Sequence, residues 1–327
     1  MSTNEKHATG AGIALAFAAV YLIWGSTYLA IRVAVVEFAP FVMASLRFMA
    51  AGLALYLYLR LRGEPRPTWS QWRSACLVGF LLLTCSNAAI TWAMRTVESG
   101  LTAVLCAVVP VWMVILDWAR DRKQRPSLQV VLGVLVGIVG VVVLIGPSIS
   151  TGSERVDLFG ATLIVLGSLT WALGSMFSRS ASLPKSAPMS TAMQMLGGGA
   201  FLAVAAALNG DWQQFQPAEI SLRAWLYLAY LGVFGSIIGL SAYVWLLQVT
   251  TPARVSTYAY VNPVVAVILG WAILGEPLGP RTIVATAIIV AAVVVITTQG
   301  GRTAKRGKST PIATAASTAI TPTATER

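Results

Sequence analysis

Long apolar stretches recur along this chain of 327 residues, and they constrain its fold more than any other feature. Each is about 20 residues long, which is the length that a helix needs to cross the hydrocarbon core of a bilayer. Lipid offers no hydrogen-bond partners, so each segment must satisfy its own backbone as a helix. Only 11% of the residues are charged, whereas a soluble domain has about 25%. Ten segments are predicted, at about residues 11–35, 41–60, 75–94, 100–119, 128–146, 158–178, 189–208, 222–248, 253–274 and 282–299.

The sequence therefore predicts an all-α, polytopic integral membrane protein with ten transmembrane helices. Its basic residues indicate how the helices are oriented. We call the side that carries the N-terminus the first side, and the side reached after the first helix the second side. Of the 23 Lys and Arg residues, few fall on the second side or inside a helix, namely Arg32, Arg95, Arg155, Arg223, Arg281 and the helical Arg47. The positive-inside rule then predicts a bacterial inner-membrane protein with both termini in the cytoplasm. The net charge of +11 reports this topology and does not indicate a nucleic-acid partner.

Two apolar phrases are nearly identical and stand 153 positions apart. PVWMVILDWA occupies 110–119 and PVVAVILGWA occupies 263–272, and the same offset pairs Gly79 with Gly232. We interpret the chain as two copies of a five-helix unit, at residues 11–146 and 157–299. Because five is odd, the second copy enters the membrane from the opposite side, as in the inverted repeats of secondary transporters. Pro110 and Pro263 occupy matching positions and are candidate hinges.

The two ends of the chain differ from the apolar segments. Residues 1–10 are predicted to form a polar leader, and residues 300–327 a disordered basic tail on the cytoplasmic side. The tail contains GGRTAKRGKST, which resembles a phosphate-binding loop but has five residues where that motif has four. No ATPase subunit is therefore implied.

Polar and aromatic side chains inside the predicted helices form stripes. Burying such groups in hydrocarbon is costly unless they have a partner or a wet cavity. The stripes indicate a cavity with aromatic walls and neutral hydrogen-bonding groups, although Ser and Thr also bond their own helix backbone. They comprise Tyr21, Trp24, Thr27 and Tyr28, then Thr84, Asn87 and Thr91, then Ser168, Trp171, Ser175 and Ser178, and finally Tyr258, Tyr260 and Asn262.

Charged residues inside the membrane are scarce. Arg47 either snorkels or bonds a helix-end carbonyl, or it binds a substrate carboxylate, and the sequence leaves these alternatives open. Glu276 lies near a helix end, where a solvated or capping role is the default. The first helix has no central carboxylate, which argues against proton-coupled export of lipophilic cations by a small multidrug-resistance mechanism.

Two further observations limit the metal, cofactor and enzyme chemistry that the chain can support. The three cysteines and His7 show no metal-binding spacing, so no metal and no cofactor are expected. No Asp-rich or His/Asp cluster appears, which argues against a membrane enzyme acting on lipids or prenyl groups.

Gly133/Gly137 and Gly235/Gly239 are small-xxx-small pairs that favour close helix packing, or alternatively a dimer face. A monomer or a weak homodimer is expected.

Three strings carry a family resemblance. WGSTYLAIRVA (24–34), APFVMASLRF (39–48) and YVNPVVAVILGWAILGEPL (260–278) resemble the EamA-type transporters of the drug/metabolite transporter superfamily. The resemblance covers about residues 11–299 and implies a helical carrier with a central cavity between two five-helix halves. It implies that helices one, three, four, six, eight and nine build the cavity, and that Arg47 and Glu276 are architectural. Eight residues are then the candidates for substrate contact: Trp24, Tyr28, Asn87, Thr91, Trp171, Ser175, Tyr258 and Asn262.

The resemblance implies a function without specifying a substrate, because family members mostly export amino acids, related metabolites or toxic compounds. We expect a secondary transporter that exports small amphipathic metabolites, amino acids first among them, by alternating access. The alternatives are a multidrug exporter of lipophilic cations and, more remotely, an integral-membrane lipid or prenyl enzyme. Facilitated efflux and proton antiport both remain open.

Overall fold

The computed structural model describes residues 9–120, 128, 131–133, 135–136, 139, 157–250, 252–276, 279–280, 283–284, 286–288 and 290–291. Within these ranges the protein is helical and contains no strand. Six helices are long and apolar enough to cross a membrane, and two shorter apolar helical stretches accompany them. The expectation of a polytopic helical membrane protein is thus confirmed.

The helices follow the predicted segments closely. The first group is α1 (Gly10–Ala34), α2 (Pro40–Leu61), α3 (Trp69–Ala93), α4 (Ser99–Cys106) and α5 (Val109–Arg120). The second group is α6 (Leu158–Ser178), α7 (Ala187–Leu208), α8 (Leu222–Val249), α9 (Pro252–Val255) and α10 (Tyr258–Leu269).

Several predictions fall outside the described residues. They are the leader up to residue 8, most of the fifth and tenth segments, the basic tail, and Gly137.

Side-chain caps at the connectors fix where several helices begin. Thr68 and Gln71 form a capping box at the start of α3, with Thr68 N 2.9 Å from Gln71 Oε1. Asp157 caps α6 through a bond from Phe159 N of 3.1 Å, and Ser221 caps α8 through a bond from Ala224 N of 3.2 Å. Such caps satisfy backbone N–H groups that would otherwise lack partners at a helix start. They fix the first residues of these three helices.

Two of the long helices are not regular. Phe80–Asn87 within α3 and Leu231–Leu240 within α8 are π-helical, and a third π-helical stretch, Gly270–Leu274, follows α10. The predicted fourth segment is divided at Ala107 and Val108, between α4 and α5. π-Helical turns are uncommon and occur frequently at functional sites. The irregular segments therefore direct attention to the space between α3 and α8.

Helix packing brings the first and second groups together. The most extensive contact is between α2 and α7, and α1 packs against both α8 and α10. In the same way α3 packs against α6 and α7, and α4 packs against α10. Buried aromatic and aliphatic side chains from both groups consequently share one core, which includes Trp24, Phe48, Met193 and Tyr243.

Large apolar side chains remain exposed along the outer faces of the long helices. Leu53 of α2 is 50% exposed and Leu226 of α8 is 61% exposed. A soluble monomer rarely shows extensive apolar patches, whereas the surface of a membrane protein faces acyl chains. Apolar residues cover the outer faces, and aromatic and polar residues lie inside. This distribution is typical of a protein surrounded by lipid.

Candidate functional site

A cavity of about 80 Å³ lies between helices of the first and second groups. Aromatic and small polar side chains make up much of its wall. The lining residues are Trp24, Thr27, Tyr28, Ile31, Arg47, Phe48, Leu83, Ser86, Asn87, Ile90, Cys106, Val109, Ser168, Trp171, Gly235, Leu240 and Tyr258. A cavity of about 150 Å³ holds one benzene, so this cavity must widen to admit a molecule of that size.

Five of the eight candidate residues line the cavity. They are Trp24, Tyr28, Asn87, Trp171 and Tyr258. The Trp24 ring meets Trp171 and Tyr258 edge-on, with ring centroids 5.4 Å apart in both pairs. Its indole N–H also donates to the Gly235 carbonyl over 3.1 Å. These contacts make Trp24 the centre of an aromatic cluster, which we define as Trp24, Trp171, Tyr243 and Tyr258.

The other three candidates are buried behind the cavity wall. Thr91 donates to Asn87 Oδ1 over 3.3 Å, and Ser175 donates to the Trp171 carbonyl over 2.7 Å. Asn262 was expected to add polarity to the cavity. When its side-chain amide is oriented with the nitrogen toward neighbouring carbonyls, that nitrogen donates to the carbonyl of Tyr21 (3.0 Å) and to that of Tyr258 (3.2 Å). Asn262 thereby links α1 to α10, and Thr91 and Ser175 support residues that line the cavity.

Tyr243 is a member of the aromatic cluster that the sequence patterns did not single out. It is fully buried, and its hydroxyl accepts from Trp171 Nε1 at 3.0 Å and lies 2.7 Å from Ser175 Oγ. The sequence signal that could have identified Tyr243 is a tyrosine within the apolar sequence of α8. Trp171 and Ser175 are fixed by this hydroxyl, so Tyr243 determines how the indole faces the cavity.

The two candidate hinges differ in their surroundings. Pro110 is the second residue of α5, directly after the division at Ala107 and Val108. Pro263 lies inside α10, five residues after its start. A proline in a first turn is readily tolerated, whereas one inside a helix removes a hydrogen bond. Hinge motion at either proline stays a prediction.

Glu276 lies outside the cavity wall and binds the start of α4. Its carboxylate accepts from Ser99 N at 3.0 Å, Ser99 Oγ at 2.7 Å and Gly100 N at 3.4 Å. Gly275 precedes it in the left-handed region at φ 69°, which lets the chain turn after the π-helical stretch. The arrangement is that of a helix-capping carboxylate.

Two more carboxylates join connectors that the sequence places on the second side. Glu37 accepts from Ser221 N at 2.6 Å and Ser221 Oγ at 2.7 Å, and Asp157 accepts from Thr96 Oγ1 at 2.7 Å. The Ser221 backbone N–H, and then its hydroxyl, lowers the pKa of Glu37. The Thr96 hydroxyl does the same for the pKa of Asp157. Both contacts therefore depend on ionised carboxylates.

This dependence predicts how stability responds to acid. A carboxyl group whose pKa is lowered by folding stabilises the protein above its ordinary pKa, here 4.5 for Glu37 and 3.8 for Asp157. That contribution is lost as the pH falls through the lowered pKa. We expect the melting temperature of the purified protein to fall on acidification below about pH 4.5, and to fall less in a Glu37→Gln, Asp157→Asn variant. The difference should be small because Glu37 is exposed and Asp157 is only partly buried.

The control for this experiment is the same acid series with Glu219→Gln, which alters an exposed carboxylate elsewhere on the connector before α8. Parallel acid profiles for the wild type and the double variant would show that the two contacts contribute nothing.

Apolar helices with lipid-facing surfaces, enclosing a polar and aromatic cavity between two helix groups, are the architecture of a membrane transporter. The comparisons with known proteins agree. The profile of the EamA-like transporter family matches residues 10–146 and again residues 158–298. The chain belongs to the EamA-like transporter family.

Individual relatives span nearly the whole transporter portion. An Escherichia coli K12 protein named "Uncharacterized inner membrane transporter YedA" is 39% identical over 280 residues, which cover 85% of this chain and 88% of that protein. An "Uncharacterized transporter" of Archaeoglobus fulgidus is 25% identical over 279 residues, covering 84% and 94%. A crystal structure that is 20% identical in sequence superposes with a TM-score of 0.65 and covers 90% of this chain and 99% of the other. That similarity confirms the fold.

Proposed function

We propose that the protein exports small amphipathic metabolites, amino acids with apolar side chains first among them, across a bacterial inner membrane. The observation that carries the proposal is the chemical character of the cavity. Its aromatic cluster offers apolar contact and cation–π seats for an ammonium group. Asn87, Thr27 and Ser168 offer neutral hydrogen-bonding groups beside it. A zwitterion with an apolar side chain matches this combination.

Transport would proceed by alternating access between two inverted halves. The packing supports such a symmetry, because the main contacts are preserved when the halves are exchanged. In the two predicted repeats, α1 corresponds to α6, α2 to α7, α3 to α8, and α5 to α10. Exchanging the repeats then turns the α1–α8 contact into α6–α3 and the α1–α10 contact into α6–α5. The α3–α7 contact becomes α8–α2, and all six of these pairs are in contact.

The π-helical segments support the same symmetry. Shifting Asn87 by the repeat offset of 153 gives Leu240, and the π-helical segments of α3 and α8 end at these two residues. The family profile also matches the chain twice. In this proposal both termini lie in the cytoplasm, as the distribution of basic residues predicts.

The small cavity favours a protein in which the halves separate to admit substrate. Access from the second side would require the contacts of Glu37 with Ser221, Asp157 with Thr96 and Glu276 with Ser99 to open. Each is a carboxylate–hydroxyl contact at the membrane surface, where water competes for the same groups. Such contacts can break and re-form during a transport cycle at modest cost.

Export of lipophilic cations is the less favoured alternative. Arg47 is the charged residue among the described residues that line the cavity. A second cation close to it in a poorly solvated site would be repelled. The cavity therefore favours a substrate that carries a negative group.

The proposal is tested by comparing the metabolites exported by cells that overproduce the wild-type protein with those exported by cells producing Trp24→Ala or Trp171→Ala at equal levels. We expect amino acids with apolar side chains to accumulate outside the wild-type cells only. Identical extracellular profiles for all three strains would refute the proposal. The coupling mode is tested separately in vesicles, where a flux unchanged by an imposed pH gradient indicates facilitated efflux and an accelerated flux indicates proton antiport.

A further inference from the structure

Arg47 is a buried cation whose hydrogen-bonding capacity is largely unused by the protein. It is 6% exposed and lines the cavity. Its Nε donates to Ser236 Oγ over 2.8 Å, whereas its Nη1 is fully buried and has no hydrogen-bond partner. Ser236 Oγ itself donates to the Leu231 carbonyl over 3.0 Å, which orients its lone pairs toward Nε. A guanidinium has five N–H donors, and in this one only Nε donates a hydrogen bond to the described part of the protein, while the Phe48 ring centroid lies 4.7 Å from its Cζ.

An architectural role accounts poorly for this arrangement. Burying a cation without a paired anion is strongly unfavourable, and buried charges in proteins are normally paired. Arg47 lies seven residues after the start of α2, about 10 Å along the helix. Its head group bonds α8 inside the protein and therefore does not snorkel to the membrane surface. No Asp or Glu is among the described residues that line the cavity.

The neighbouring backbone leaves room for the guanidinium. A Cβ atom at Gly235 would lie 2.9 Å from Arg47 Nη2 and 3.0 Å from Thr27 Cγ2. The carbonyl of the same glycine accepts from Trp24 Nε1. Gly235 and Ser236 both belong to the π-helical segment of α8. This segment therefore positions the cation and the aromatic cluster side by side.

We propose that Arg47 and Ser236 form a carboxylate subsite, and that the apolar body of the substrate packs against Trp24, Trp171 and Tyr258. The substrate class is thus a monocarboxylate with an apolar body, such as a zwitterionic amino acid. A carboxylate matches the planar guanidinium fork and supplies the counter-charge that the described lining of the cavity lacks. The inference rests on the proposed function, because it assigns the two ends of the substrate within the same cavity.

The test compares analogues that share one side chain. Labelled-leucine flux is measured in vesicles carrying the full-length protein, with unlabelled 4-methylpentanoate, which keeps the carboxylate, or leucinamide, which lacks it, as inhibitors. The measured ratio is the inhibitory concentration of leucinamide divided by that of 4-methylpentanoate. For the wild type we expect a ratio of about 10 to 100, which corresponds to the free energy of hydrogen bonds to a charged group. In Arg47→Gln this ratio should fall to about one.

Two further variants separate recognition from structure. Arg62→Gln removes an exposed arginine that follows the same helix and should leave the ratio unchanged. Gly235→Ala keeps Arg47 but displaces its guanidinium, so the ratio should fall toward one while the protein still elutes as a folded species. A ratio that is the same in the wild type and in Arg47→Gln would overturn the inference, because a structural role lowers flux without changing the selectivity.

The failure of this inference can be distinguished from failure of the proposed function. If leucine does not cross faster than in empty vesicles, the flux result counts against export of this amino acid. Quenching of tryptophan fluorescence by the two analogues then decides the inference. Binding of 4-methylpentanoate that is lost in Arg47→Gln supports the carboxylate subsite, and equal or absent responses to both analogues overturn it.

Discussion

Replacing Trp24 by alanine is expected to abolish most transport and to destabilise the protein by about 3–5 kcal/mol, the usual cost of truncating a buried aromatic residue. The side chain is 9% exposed and meets Trp171, Tyr243 and Tyr258 at centroid distances of 5.0–5.4 Å. Its removal also leaves the Gly235 carbonyl without the indole donor. Leucine flux in vesicles and the melting temperature in detergent measure the two effects.

Trp69→Ala is the matched control for this substitution. Trp69 begins α3 and is 76% exposed, so its truncation should change neither measurement greatly. Equal flux in the wild type and in Trp24→Ala, at equal protein content, would exclude the aromatic cluster as part of the transport site.

The second large effect is expected for Gly79→Ala. A Cβ atom at Gly79 would overlap the carbonyl oxygen of Gln194 and lie 3.0 Å from Gly198 N. Both are backbone atoms of α7, which cannot move aside as a flexible side chain can. Overpacking of this kind costs about 1–3 kcal/mol and forces neighbouring backbone to shift. We therefore expect a lower melting temperature and reduced yield of folded protein.

Gly232→Ala provides the control, because Gly232 stands at the matching position of the second copy. A Cβ atom there would meet nothing within 4 Å. We expect little loss of stability, and even a gain, since alanine favours helix over glycine. Equal melting temperatures for the two variants would show that α3 and α7 do not need close backbone contact at Gly79.

Much of the fold could be predicted from the sequence because hydrophobic length is a strong signal. α6 begins and ends at the predicted residues, and α1 and α2 differ from the prediction by one residue at each end. The alternation of apolar segments and charged connectors carries this information directly. The family, too, could be assigned from three short strings.

The side-chain directions could not be predicted as well, because the stripes assume a uniform period of 3.6 residues. In α3 that period would place Thr84, Asn87 and Thr91 on one face. The π-helical segment 80–87 changes the turn, so Thr84 donates to Gly198 of α7 and only Asn87 lines the cavity. The local sequence does not predict a π-helical segment. Segment 80–87 packs against α6 and α7, which are distant in the sequence.

The role of Arg47 also depends on distant residues. Its partner Ser236 lies 189 positions away, and the space beside it comes from Gly235. The sequence allows Arg47 to snorkel, to bond a helix-end carbonyl or to bind a substrate carboxylate. In the fold the guanidinium bonds Ser236 of α8 inside the protein, which excludes snorkelling and leaves substrate binding as a proposal.

The measurement that tests the central claim most directly is the uptake of labelled leucine by vesicles preloaded with unlabelled leucine. The wild-type protein should accelerate this exchange over empty vesicles, and Trp24→Ala should reduce it to nearly the empty-vesicle rate while Trp69→Ala does not. A wild-type rate equal to that of empty vesicles, for leucine and for every other amino acid tested in the same way, would contradict the claim.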